Sequence, residues 1–87
     1  MDNKCIRGLL MEYKERIEID IDKLAKNLKQ IESINFSEKE KEVVERAKNY
    51  RDDTSYYAKK EDYMTAFGCI TYAHGLIDSL RLIHEII

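Results

Sequence analysis

The 87-residue chain has no proline, no tryptophan, three glycines and two cysteines. So few turn-formers exclude an active site carried on long irregular loops and point to long helices. Two cysteines, Cys5 and Cys69, do not supply the several staples on which small secreted domains depend. Near the start the longest apolar run is Leu9-Leu10-Met11, too short for the core of a signal peptide. The most apolar stretch, residues 62–87, is interrupted by His74, Asp78, Arg81 and His84, which argues against a membrane span. The length excludes a barrel or a doubly wound sheet and allows one hydrophobic core. A net charge of -2 gives no overall pull toward nucleic acid or an anionic membrane.

What is present is charge, at 37%, interleaved with apolar residues at helical spacing. Ile6, Leu10, Tyr13, Ile17, Ile21, Leu24, Leu28 and Ile31 step by threes and fours, which predicts a first helix over about 3–33. Ser37-Glu38-Lys39-Glu40 reads as a capping box, in which a serine oxygen and a glutamate satisfy orphan backbone N–H groups. A second helix over about 38–60 follows, with Val43, Ala47, Tyr50, Thr54, Tyr57 and Ala58 on one stripe. Lys59 and Lys60 suit its C-terminus, and Asp62 suits the N-cap of a third helix over about 62–86. The expected architecture is all-α, an antiparallel up-down-up three-helix bundle forming one domain over residues 1–87.

The three segments differ in charge. The first two each balance seven acids with seven bases, whereas the third has three acids and one base. The third helix is therefore expected to be the most buried. Glycine inside a helix costs about 0.5–1 kcal/mol relative to alanine, so Gly68 and Gly75 suggest close approach of another backbone, most simply within the bundle. A first helix ~45 Å long would overhang a hairpin of ~35 Å helices. Ile6, Leu9 and Leu10 would then lack cover, unless Gly8 breaks the helix or a second subunit packs there. The same geometry puts Cys5 roughly 20 Å from Cys69 along the axis, too far for a disulfide, so both thiols should be free.

Chemistry has few candidates. His74 and Asp78, four apart, would point the same way and could share a hydrogen bond, as an acid–base dyad requires. The plainer reading is two polar groups satisfying one another on a half-buried helix. No catalytic residues are assigned. Cys-x-x-Cys, His-Glu-x-x-His and Glu-x-x-His are all missing, so no metal and no cofactor is expected. The basic residues alternate with acids, which argues against a nucleic-acid groove despite six tyrosines.

Tyr50-Arg51-Asp52-Asp53, Tyr57, Glu61-Asp62-Tyr63-Met64-Thr65-Ala66-Phe67-Gly68 and Tyr72-Ala73-His74-Gly75-Leu76-Ile77-Asp78 together resemble the archaeal domain of unknown function 357. The resemblance covers the second and third helices, and is most specific in Asp-Tyr-x-x-Ala-Phe and Tyr-Ala-His-Gly-Leu-x-Asp. It implies a left-handed up-and-down three-helix bundle and no established activity. Glu61 stands where members of that family often have glycine, and Ser79 where several have alanine. The matched polar positions are Asp53, His74 and Asp78. A hairpin turning near residue 61 sets Asp53 opposite 68–70 and Tyr50 opposite 72–73. Tyr50, Tyr72, His74 and Asp78 are accordingly expected to form one polar-aromatic patch. The functional expectation is a cytoplasmic helical-bundle protein that acts by protein contact, as a homo-oligomer or with another protein. The alternative is a ligand-binding or catalytic bundle using His74 and Asp78.

Overall fold

The computed structural model describes the backbone of residues 3–87 and the side chains of residues 12–87. It contains three helices, α1 (Asn3–Gln30), α2 (Glu38–Lys59) and α3 (Tyr63–Ile83). α1 passes through Gly8 as one helix. The expectations for Cys5, Ile6, Leu9 and Leu10 concern side chains outside the described residues.

α1 stops three residues short of the expected end. The backbone bonds tighten there, with Glu32 N–H donating to Lys29 O and Ile34 N–H to Ile31 O. Three-residue bonding winds the chain more steeply than an α-helix, and this turns Ile31, Ile34 and Phe36 onto the core. The capping box at α2 is complete. Ser37 Oγ accepts from the Glu40 N–H at 3.2 Å, and the Ser37 N–H donates to Glu40 Oε1 at 2.9 Å. Asp62 caps α3, accepting from the Thr65 N–H.

Packing follows the stripes. Ile17, Leu24 and Ile31 of the first stripe are buried, seven residues apart, as are Ala66, Ile70, Ala73, Ile77 and Leu80 of α3, and Leu24 and Ile31 share one core cluster with Ile70, Ala73, Ile77 and Leu80. α2 buries only Ala47 and Thr54, and the Thr54 hydroxyl donates to Tyr50 O at 2.7 Å, so its burial leaves no orphan donor. α3 packs on both other helices while α1 and α2 barely meet. It is the central helix, as its charge deficit suggests. Level pairs fix the topology: Asp20 beside His74 and Gln30 beside Arg81 make α1 and α3 parallel. Tyr50 beside Tyr72 and Glu40 beside His84 make α2 antiparallel to α3.

The glycine expectation is corrected. A Cβ at Gly68 or Gly75 would meet nothing within 4 Å. Both positions are exposed on the side of α3 away from the core, so neither serves close packing within the bundle.

Candidate functional site

The polar residues of α3 divide between its two neighbours. His74 is half-buried, and its Nε2–H donates to the Asp20 backbone oxygen at 2.7 Å. A helical carbonyl keeps a second lone pair after its own ladder bond, so the imidazole ties α3 to the middle of α1. Asp78 does not bond to His74. Its Oδ1 accepts from Arg81 Nη1 at 2.9 Å, and Arg81 Nε donates to Gln30 Oε1 at 3.0 Å. His74, Asp78 and Arg81 thus hold the α1–α3 register at two levels about two turns apart.

Tyr50 and Tyr72 meet as the hairpin register requires, with ring centroids 4.6 Å apart and planes tilted by 54°. They do not join His74. Residues two apart on a helix differ by about 200° in direction, so Tyr72 leans toward α2 while His74 faces α1. The single patch of Tyr50, Tyr72, His74 and Asp78 is therefore two separate features. Asp53 is exposed and lies close enough to Cys69 for its charge to bear on the thiol. Partial burial, then the charges of Asp53 and Asp62, push the Cys69 thiol up, against the thiolate that thiol chemistry needs. Cys69 is free. Among the described residues no three His, Cys, Asp or Glu side chains converge on a point that could hold a metal.

Two arrangements went unread in the sequence. The first closes the α1–α2 end. His84, the C-cap of α3, donates from Nε2 to Glu40 Oε2 at 2.6 Å, and its ring meets Phe36 edge-on at 5.2 Å. Glu40 is held below the ordinary glutamate range, first by the Ser37 backbone bond and then by the His84 bond. Glu40 was visible as a capping residue, but its second partner lies 44 positions away.

The second arrangement is a groove at the opposite end, where α1 runs alongside the start of α3. Its walls are Tyr13, Tyr63, Met64 and Phe67, enclosing about 490 Å³. It continues past Phe67 along Glu12, Glu15, Arg16 and Ile19 of α1. Glu61 and Asp62, in the turn between α2 and α3, complete a mainly acidic rim. That turn is a Schellman cap: the Asp62 N–H donates to Tyr57 O and the Glu61 N–H to Ala58 O, both at 3.0 Å. The cap forces Glu61 into the left-handed region, at φ 62°. The turn geometry therefore stays the one a glycine would take, without the glycine. The signal for the groove was Tyr13, an aromatic on the core stripe at the level where α3 only begins.

The fold and these contacts define a small all-α bundle whose motif residues hold helix register. The family model described as a protein of unknown function, DUF357, matches residues 19–86, most of the chain, and the chain belongs to that family. The match takes in the second half of α1, beyond the helices that the motifs cover. No curated protein matches the chain.

Proposed function

We propose that the protein works by protein–protein contact, as a small helical module that associates with a second copy of itself. The supporting observation is the apolar cluster around the α1–α3 groove. Tyr13 is 51% exposed, Ile19 53% and Met64 87%, grouped about Phe67 rather than scattered. A clustered apolar patch with a charged rim is what an interaction surface offers, whereas single exposed aliphatics carry no such meaning. A ligand or catalytic site on His74 and Asp78 would have to break their bonds to Asp20 and Arg81, so the contact reading is preferred. The setting we infer is the cytoplasm of an archaeal cell, supported by the free Cys69 and by the source to which the motifs point.

Sedimentation velocity across the micromolar range tests the reading. The expected result is a reversible monomer–dimer equilibrium, weakened about tenfold or more by Met64→Glu. Because Met64 is mostly exposed, the substitution should leave the helical circular dichroism unchanged. Monomer alone at high micromolar concentration overturns the reading.

A further inference from the structure

Resting on that reading, the geometry points to what fills the groove. We infer that it receives the segment Lys4–Met11 of a second copy, joining two bundles end to end through antiparallel α1 helices.

Register supplies the first argument. Tyr13 and Lys14 already line cavities with residues of the α2–α3 turn. The part of α1 before Glu12 therefore runs level with that turn and then past the end of its own hairpin. Because α1 is one helix from Asn3 to Gln30, this segment travels on along the axis and cannot fold back into the groove beside it. A second copy related by a two-fold axis across the helix brings its own segment there. The contact is then the same on both copies, as a closed dimer requires.

Chemistry supplies the second. Lys4–Met11 carries two bases, Lys4 and Arg7, and no acid, among the apolar Ile6, Leu9, Leu10 and Met11. The groove's own lining presents the converse, an aromatic and methionine floor below Glu12, Glu15, Glu61 and Asp62 with Arg16 among them, while Lys14 and Lys59 line the adjoining cleft that Glu61 shares. Opposite charge at a rim selects orientation and speeds association, while the apolar floor excludes water. Antiparallel α1 helices also oppose their macrodipoles. A segment of about two turns covers less than the ~1,200–2,000 Å² of a tight specific interface, so the dimer is expected in the micromolar range.

The test uses the full chain with paired charge exchange. Lys4→Glu with Arg7→Glu should weaken the dimer at least tenfold at low salt. Adding Glu12→Lys and Glu61→Lys to the same chain should restore most of the loss. Removing residues 1–10 should give a monomer with the helices of residues 12–87 intact. A dimer that ignores the first exchange, or survives the truncation at unchanged affinity, overturns the inference but leaves self-association standing through another face, such as that of Leu82 and Ile83. A wild-type chain that is only monomeric overturns both. If the truncated chain fails to fold, the charge exchange decides alone.

Discussion

The two ends of the bundle are finished differently. At the α1–α2 end the chain wraps seven residues over the core, and Phe36, His84 and Glu40 close it with an aromatic contact and a 2.6 Å hydrogen bond. At the α2–α3 end a three-residue turn passes from helix to helix on its own backbone bonds and the Asp62 cap, and Tyr13, Met64 and Phe67 stand around an open groove. Both ends carry glutamates. One places its glutamate between two partners, whereas the other leaves Glu61 exposed at the rim. The closed end meets its needs within the chain, while the open end leaves Tyr13 and Met64 exposed.

The sharpest break in this comparison is truncation of one apolar residue at each end. Phe36→Ala should cost about 2 kcal/mol by urea denaturation, somewhat below the ~3–5 kcal/mol of a fully buried phenylalanine. Met64→Ala should shift monomer stability by no more than about 0.5 kcal/mol. Equal losses at the two sites would remove the distinction between a closed and an open end.

A smaller effect, of opposite sign, is expected where the ends agree. Glu85 closes α3 in the same left-handed conformation as Glu61, at φ 59°, with the Ile86 N–H donating to Arg81 O and the Glu85 N–H to Leu82 O. A side chain in this region costs roughly 1–2 kcal/mol, which glycine avoids at some expense in unfolded-state entropy. Glu61→Gly and Glu85→Gly should each stabilise the fold by about 0.5–1 kcal/mol in the same denaturation assay. Destabilisation at Glu61 alone would show that the open end depends on its side chain.

The smallest effect is a pH dependence confined to the closed end. Glu40 has its folded pKa depressed, so its contribution to stability is fully present above the ordinary glutamate value of about 4.3. It is lost as pH falls through the lower folded value. The wild-type chain should therefore lose more stability than Glu40→Gln over that acid window, while the two should run parallel above it. Parallel loss below it as well would mean that the bonds from Ser37 and His84 contribute nothing to acid stability.

Much of this was legible from local pattern. The Ser37 and Asp62 caps, the stripe through Ile17, Leu24 and Ile31, and the central position of α3 follow from spacing and charge, because helix faces repeat within a few residues. Tyr50 against Tyr72 followed from counting back from a turn. His74 did not, since its partner is the backbone oxygen of Asp20, and a carbonyl looks alike at every position in a sequence. Gly68 and Gly75 misled for a related reason. A glycine's spacing does not reveal which side of its helix faces a neighbour when three helices share one core.

By itself the sequence determined three helices, their caps and their order, since capping, periodicity and charge act over one or two turns. Tertiary structure decided the rest. It sent His74 to α1 and Tyr72 to α2, because neighbouring positions on a helix point in different directions. It placed Glu61 in a conformation that suits glycine, because the Schellman bonds of a tight turn require it. And it set the start of α3 at the level of Tyr13, a matter of packing register that left a core-stripe aromatic standing at the edge of an open groove.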